Sequence, residues 1–194
     1  DVLGSRGLGD VYKRQAWVAV PSGISPDNVR SVFFCESAFD AMAFYQMNRI
    51  QIGDSAALVS LGGTFSDRQI TGVMERFPNA RAFDCFDNDL AGRIYGLRMM
   101  ALQEGIQMKI SRTDGGIRIE AKGKVFEPDM ERPLLAQVAR QLNIRYRMGQ
   151  WLPPKAFKDW NDCLLNRPME PVISPHKEER EQNLSEQRNK GRKI

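Results

Sequence analysis

Residues 81–93 read Arg-Ala-Phe-Asp-Cys-Phe-Asp-Asn-Asp-Leu-Ala-Gly-Arg and decide the fold class. The apolar run ends in two carboxylates, Asp87 and Asp89, as a buried strand does when it delivers acids to the edge of a sheet. Residues 32–36 do the same with Glu36, and Asp40 follows four residues later. Open α/β sheets bind their ligands outside the carboxyl ends of parallel strands. Because crowded carboxylates repel one another and acquire raised pKa values, we expect a divalent cation to neutralise them.

Strand and helix patterns alternate three times, which is typical of a parallel sheet covered by helices on both faces. We predict four parallel strands, at residues 29–35, 56–61, 81–86 and 107–111, with helices at residues 38–47, 66–77 and 90–104. Ser66 and Gln69 have the spacing of a capping box at the start of the second helix. A mid-strand aspartate, Asp84, requires a buried partner that the sequence does not identify.

The chain divides into a core and appendages. Residues 16–28 are expected to be an edge strand or remnant, residues 29–112 the core, and residues 113–170 an extension. In the extension we predict a small hairpin around residues 117–121, a helix beginning at Pro133, a further strand within residues 146–152 and a short helix at residues 156–166. Residues 171–194 are polar and charged and are expected to be a disordered tail.

Composition excludes several kinds of chemistry. The only histidine is His176, in the polar tail, so a Ser-His-Asp triad or a histidine zinc site would depend on that residue alone. The three cysteines are far apart, which indicates neither a zinc ribbon nor a disulfide framework and favours a cytoplasmic location. The formal net charge of +4 is compatible with a phosphate-backbone partner. No apolar window has the length of a membrane span, so no membrane partner is expected.

Three motifs in order resemble those of the Toprim domain, which primases, topoisomerases, OLD-type nucleases and recombination mediators share. They are Glu36 with Asp40, the stretch Ser60-Leu61-Gly62-Gly63-Thr64, and Asp87-Asn88-Asp89 with Ala91-Gly92-Arg93. The resemblance covers residues 29–112, and Lys158-Asp159-Trp160-Asn161-Asp162 is similar to the further acidic motif of primase-like members. It implies a Rossmann-like fold with a mainly parallel four-stranded sheet.

The resemblance implies an Mg²⁺ or Mn²⁺ ion held by Glu36, Asp87 and Asp89, with Glu36 also exchanging a proton with the reacting hydroxyl. We expect these three carboxyl groups to converge with no lysine or arginine at their centre. Asp159 and Asp162 are candidates for additional acids, or else belong to a capped surface helix. Asp40 is equally well explained as an additional acid or as a helix-start charge.

Other candidates would contact nucleic-acid phosphates. Gly62, Gly63 and Thr64 allow close approach of the backbone to a phosphate, although a plain strand-to-helix turn explains them nearly as well. Arg93 could contact phosphate, but pairing with a carboxylate is the more common outcome, and Lys158 is a further candidate.

The resemblance implies metal-dependent nucleotidyl transfer or phosphodiester cleavage on DNA or RNA, in a replication or mobilisation protein. Ser37 replaces the glycine that usually follows the glutamate, which favours the divergent branch found on mobile elements, with a helicase or relaxase as partner. The alternatives are a non-catalytic binding or assembly module and a haloacid-dehalogenase-type phosphatase. Residues 5–15 resemble the translation of a sequencing adapter, so we treat residues 1–15 as an artefact and expect a truncated start near Ala16.

Overall fold

The computed structural model describes residues 16–170. The interpretation of residues 1–15 as an artefact and the prediction of a disordered tail at residues 171–194, with its His176, lie outside the described residues.

Along residues 16–170 the chain forms eight strands and five α-helices. In chain order they are β1 (Trp17–Ala19), β2 (Ser31–Cys35), α1 (Ala38–Ile52), β3 (Ala56–Ser60), α2 (Asp67–Arg76), β4 (Arg81–Asp84), α3 (Leu90–Gln103), β5 (Met108–Thr113), β6 (Gly116–Ala121), β7 (Lys124–Phe126), α4 (Leu134–Leu142), β8 (Gly149–Gln150) and α5 (Trp160–Leu164).

The central sheet has the strand order β1-β3-β2-β4-β8. Strands β2, β3 and β4 run parallel, in a register that pairs Phe34 with Val59 on one side and with Asp84 on the other. The edge strand β8 is parallel to β4, and β1 on the opposite edge is antiparallel to β3. The predicted α/β class and mainly parallel sheet are confirmed. The carboxyl ends of β2, β3 and β4 therefore lie side by side at one edge.

Helices cover both faces of this sheet because its buried strands alternate their side chains between two cores. On one side, Val32 and Phe34 pack with apolar residues of α2, α3 and α4. On the other side, Phe33 and Cys35 pack with Phe44 of α1 and Trp160 of α5. Phe44 and Trp160 are in edge-to-face contact, with ring centroids 5.0 Å apart. This contact fixes the C-terminal extension against the helix that follows Glu36.

The predicted fourth parallel strand at residues 107–111 is wrong. This segment belongs to β5, which pairs antiparallel with β6 in a separate three-stranded sheet of order β5-β6-β7. The turn residues that predicted a hairpin are present on both sides of β6. The segment therefore forms three strands where we predicted a two-stranded hairpin. The fourth parallel strand is the two-residue β8 instead. Apolar alternation identifies a strand but does not say which sheet the strand joins.

Local signals at the helix ends agree more closely with the structure. The capping box of Ser66 and Gln69 begins α2, and the four predicted apolar positions of α4 are buried: Leu134, Leu135, Val138 and Leu142. Two predicted lengths are wrong, since α1 continues to Ile52 and the last helix shortens to Trp160–Leu164. In the part of the chain that the structure describes, no helix has both the length and the apolar character to cross a membrane.

The buried aspartate of β4 has its partner on β8. Gln150 Nε2 donates to Asp84 Oδ2 over 2.9 Å, and the Phe86 amide donates to Asp84 Oδ1 over 3.0 Å. A Cβ atom at Gly96 of α3 would lie only 2.4 Å from Asp84 Oδ2, so only glycine fits there. Burial raises the pKa of Asp84 to about 6, because the two hydrogen bonds offset only part of the desolvation. Asp84 thus joins the edge strand to the strand that carries Asp87.

Candidate metal centre

Five acidic residues gather where β2 and β4 end. Glu36 directly follows β2, and Asp40 lies in the first turn of α1. Asp87 follows β4, Asp89 is the residue that caps α3, and Asp159 caps α5. The sheet register brings the first two motifs together, and the contact between α1 and α5 adds the third.

Three of these acids are close enough to share one ion. Carboxylate oxygens of Asp40, Asp87 and Asp159 all lie within 4.8 Å of one another, and Asp40 and Asp87 are buried. Ser37 Oγ donates to Asp40 Oδ2 over 2.5 Å, and the Asn161 amide donates to Asp40 Oδ1 over 3.2 Å. The residue that departs from the Toprim glycine therefore positions one of the three acids.

Glu36 lies beside Asp87, outside this group of three. The Asp87 amide donates to Glu36 Oε1 over 3.3 Å, which places the Glu36 carboxyl group against the backbone of the Asp-x-Asp segment. Burial, and then the charge of Asp87, raise the pKa of Glu36 to about 7, with a further contribution from Asp89. A carboxyl group with this pKa gains and loses a proton near neutral pH, as a general acid or base must.

Asp87 has an elevated pKa as well. Burial is the main cause, the charge of Asp40 adds to it, and together they raise the pKa of Asp87 to about 6 despite the neighbouring Lys158. Two adjacent carboxyl groups that are both difficult to ionise are typical of a functional site. A divalent cation would reverse this difficulty by stabilising the charged forms.

A lysine occupies the position where we expected none. Lys158 Nζ lies 3.3 Å from Asp87 Oδ2 and 3.8 Å from Asp89 Oδ2. Burial alone would lower the pKa of Lys158, but the charges of Asp87, Asp89 and Asp159 outweigh it and the pKa is raised. The prediction of a centre without a basic side chain is therefore wrong. The physical reason is that closely spaced carboxylates favour any cation within reach, including one of the chain's own.

Asp89 and Asp162 have structural partners of their own. Asp89 Oδ1 accepts from the Gly92 amide over 2.9 Å, so one of its oxygens caps α3 while the other faces Lys158. The Asp162 amide donates to Asp159 Oδ1 over 2.7 Å, so Asp159 caps α5. Asp162 itself lies in the first turn of α5 and is absent from the group of three acids in the described residues. Asp89 and Asp159 therefore each cap a helix and also lie in the acid cluster.

The glycine turn after β3 lies next to Glu36. The Gly63 amide donates to the Glu36 carbonyl over 3.0 Å, and Gly62 and Gly63 have φ angles of 70° and 93°. Neither glycine has another group near the position of a Cβ atom, so the turn is open to solvent. Thr64 Oγ1 and Tyr95 Oη share a hydrogen bond of 3.0 Å. Gly62 and Thr64 are exposed, so the turn is accessible from solvent.

Arg93 faces away from the acids. Its guanidinium donates through Nη1 to the Met130 carbonyl, and among residues 16–170 it forms no ion pair. The expected pairing with a carboxylate is wrong, because on α3 the side chain extends toward the extension instead of the strand ends.

The sequence did not single out Asn88, although it lies between the two aspartates. Its Nδ2 donates to the carbonyls of Phe157 and Pro153 over 2.8 and 3.0 Å, and its amide donates to the Lys158 carbonyl over 2.7 Å. Asn88 therefore holds the loop that carries Lys158 and Asp159. The sequence feature that could have identified Asn88 is its position between two acids at the end of a strand.

Residues 33–116 match the family model described as Toprim-like. This part of the chain is a Toprim-like domain. The match begins within β2, spans β3 and β4 and includes the Glu36 and Asp87-Asn88-Asp89 motifs, but it ends before Lys158. Neither the curated proteins nor the solved structures gave a match to the chain. The match favours the Toprim assignment of the Asp-x-Asp pair over the haloacid-dehalogenase alternative.

The Toprim-like segment and the chain that follows it therefore form an acidic cluster that suits a divalent cation. Carboxylate oxygens are hard ligands, and Mg²⁺ is usually bound by one or two carboxylates together with substrate phosphates and water. The donor set at Asp40, Asp87 and Asp159 meets this requirement without any histidine or cysteine.

Proposed function

We propose that this chain is a Toprim-type, Mg²⁺-dependent nucleic-acid enzyme domain that acts on phosphodiester bonds, by primase-like nucleotidyl transfer or by cleavage. Mn²⁺ would serve in place of Mg²⁺, because it accepts the same oxygen ligands. The substrate is DNA or RNA, and the biological setting that we infer is replication or mobilisation in the cytoplasm, with a helicase or relaxase as partner.

One observation supports this function above the others. Glu36, whose pKa is raised to about 7, adjoins Asp87 of the acid group at the carboxyl edge of the sheet. A proton-exchanging carboxyl group next to an oxygen-rich cation site is what phosphodiester chemistry requires. A purely structural site has no need of a carboxyl group that titrates near neutral pH.

The residues have separate roles in this proposal. Asp87 would hold the ion, with Asp40 and Asp159 as partners within reach and with Glu36 and Asp89 beside them. The bound ion would stabilise negative charge on the phosphoryl group that is transferred. Glu36 would accept a proton from the attacking hydroxyl group or water, which its pKa allows near pH 7.

Phosphate binding is assigned to the open turn beside Glu36. Gly62 and Gly63 leave room for a phosphate to approach, and Thr64 offers a hydroxyl group nearby. Lys158 is the one basic side chain among residues 16–170 that forms ion pairs with these acids. Asp162 is assigned no role at the ion because it is not a member of the group of three acids in the described residues. Arg93 is assigned none because its guanidinium donates to the Met130 carbonyl.

A non-catalytic binding or assembly module is the second candidate. The observation in its favour is the ion pair from Lys158 to Asp87 and Asp89, which neutralises part of the acid cluster without any metal. A scaffold of this kind would bind nucleic acid but would leave Mg²⁺ affinity and turnover near zero.

Amide substitutions at the acids distinguish these candidates. Asp87→Asn together with Asp89→Asn removes two charges while preserving shape, so Mg²⁺ affinity should fall by about 100-fold with the fold retained. Glu36→Gln should abolish phosphodiester cleavage or primer synthesis but lower metal affinity by less than about tenfold. The measurements are calorimetric titration with Mg²⁺ and Mn²⁺, and nuclease and primer-synthesis assays on DNA and RNA templates.

Exposed acids provide the matched controls. Asp54→Asn and Glu75→Gln make the same chemical changes at exposed positions remote from the cluster, and both should behave as wild type. Unchanged metal affinity in the double Asn variant would remove the proposed ion site. Wild-type turnover in Glu36→Gln would remove the proton-transfer role and favour the binding module.

A further inference from the structure

We propose that Lys158 is a built-in counterion of the acid cluster, and that a divalent cation binds by displacing its ammonium group into the path of the substrate phosphate. The inference rests on the proposed metal-dependent function, and it adds a step in which the chain's own cation and the ion exchange places. Lys158 would thereby be a positioning and binding residue outside the segment that matches the Toprim-like family.

The ammonium group of Lys158 lies beside a carboxylate of the proposed ion site. Lys158 Nζ contacts Asp87 Oδ2 at 3.3 Å, and Asp87 is also a member of the group of three acids that suits an ion. A cation bound at Asp87 and the ammonium group of Lys158 would repel each other at this distance. An ion bound through Asp87 Oδ2 would occupy the place of the ammonium group, so in this proposal binding of the ion requires Lys158 to leave.

Lys158 neutralises part of the negative charge of the acid cluster. In the described part of the chain, Lys158 is the one base that forms an ion pair with any of the five acids of the cluster. It therefore compensates the repulsion among Asp87, Asp89 and Asp159 in the metal-free protein. Once a divalent ion supplies two positive charges, this compensation is no longer needed and the ion pairs weaken.

The side chain of Lys158 has room to move although its backbone is held in place. The backbone of Lys158 is fixed, because its carbonyl accepts from the Asn88 amide over 2.7 Å. Its side chain is 47% exposed, whereas that of Asp87 is only 10% exposed. The flexible four-carbon stem can thus swing the ammonium group outward without moving the loop or Asp159. The released group remains within one side-chain length of the ion, where a phosphate bound to that ion would lie.

Chemical labelling of lysines tests the exchange directly on the full chain. We would pulse-label wild-type protein with an amine-acylating reagent at fixed pH, with and without saturating Mg²⁺ or Mn²⁺, and quantify each lysine by mass spectrometry. Labelling of Lys158 should rise by about threefold or more with metal, because an ammonium group in two ion pairs is shielded from the reagent. Lys109, which pairs with Glu120 elsewhere on the surface, should not change.

A charge-removing variant gives a second readout. Lys158→Met keeps the apolar stem and removes the competing charge, so calorimetric affinity for Mg²⁺ should rise by about tenfold. Lys155→Met, on the same loop at an exposed position that forms no ion pair in residues 16–170, is the matched control and should leave affinity unchanged. Metal binding that appears only in Lys158→Met would overturn the exchange, because the ion would then be unable to displace the ammonium group in wild type.

The outcomes separate this inference from the proposed function. If wild type binds metal but Lys158 labelling stays constant or falls, the exchange is refuted and the metal-dependent function stands. If neither wild type nor Lys158→Met binds a divalent ion, both are refuted. A Lys158→Met affinity equal to or below that of wild type would also overturn the role of Lys158 as a competitor.

Discussion

At the scale of single residues, Asn88 links the Asp-x-Asp segment to the loop that carries Lys158 and Asp159. It donates from its side chain to the carbonyls of Pro153 and Phe157, so one amide positions the whole loop in front of the acids. Phe157 directly precedes Lys158, and Pro153 begins the segment that leads to it. The Asp-x-Asp segment therefore contributes two carboxylates and also the attachment point for the remaining charges of the site.

Asn88→Ala should release this loop while leaving the sheet intact. Loss of the side-chain donor should destabilise the protein by about 1–3 kcal/mol and lower Mg²⁺ affinity by about tenfold, since Asp159 would no longer be held near Asp87. Hydrogen–deuterium exchange should increase in residues 153–159 with little change in β2 and β4. Asn48→Ala is the control, because Asn48 donates to the Phe44 carbonyl within its own helix. Unchanged exchange in the loop would contradict the assignment.

The sequence predicted residues better than it predicted their partners. Glu36, Asp87 and Asp89 follow from where apolar runs end, which is a local property of the chain. The partner of Asp84 is Gln150, and it could not be found because β8 has only two residues and no periodic pattern. The position of Lys158 depends on a contact across the fold, so its presence among the acids was equally hidden.

At the scale of elements, helix α3 is seated against the strand end through a glycine. A Cβ atom at Gly92 would lie 2.2 Å from the Asp87 carbonyl oxygen. The first turn of α3 thus packs directly on the backbone of Asp87, while Asp89 caps the same turn. The close approach fixes the direction in which Asp87 presents its carboxylate.

Gly92→Ala should therefore disturb the site and the fold together. We expect a loss of about 2–3 kcal/mol from the overlap, together with lower Mg²⁺ affinity as Asp87 shifts. Gly72→Ala makes the same change in α2 at an exposed position with no atom near the added methyl group, and it should be neutral or stabilising by up to about 1 kcal/mol. Chemical denaturation and calorimetry measure both effects. Equal stabilities of the two variants would refute the packing argument.

The sequence predicted which segments form strands, but it did not predict which sheet each strand joins. The strands of residues 29–35, 56–61 and 81–86 were placed correctly because each is a buried apolar run followed by a helix signal. Residues 107–111 also have strand character, but the glycine-rich turns at both ends of β6 draw β5 into an antiparallel pairing. Choosing between the two sheets depends on long-range packing, which local patterns do not contain.

At the scale of the whole molecule, three carboxyl groups make stability depend on pH in the same direction. The pKa of Glu36 is raised from 4.5 to about 7, and those of Asp84 and Asp87 from 3.8 to about 6. At pH values between the ordinary and the raised pKa of each group, the folded protein binds more protons than the unfolded chain. Their contribution to stability is fully present below the unfolded pKa values and is lost as pH rises through the folded ones.

The metal-free protein should therefore unfold more easily at pH 7.5 than at about pH 5 as far as these groups are concerned. Asp84→Asn should reduce this decline by about 1–3 kcal/mol, because it removes one of the three carboxyl groups with a raised pKa. Mg²⁺ should restore stability most strongly above pH 7, where Glu36 is ionised. Thermal denaturation from pH 4 to pH 8 with chelator or with Mg²⁺ measures all three effects. Identical pH profiles for wild type and Asp84→Asn would contradict the role of Asp84.

The hydrogen bond between Asp40 and the Asn161 amide has a consequence for the timing of synthesis. The two residues are 121 positions apart, and Asp40 belongs to the group that also needs Asp159. At ribosomal rates of about 5–20 residues per second, roughly 6–24 seconds separate the synthesis of the two partners. When that interval begins, β2 has been made and its following helix has only started, whereas Asp159, which completes the cluster, is made near its end. The complete cation site therefore cannot form until the ribosome has synthesised the chain through Asn161.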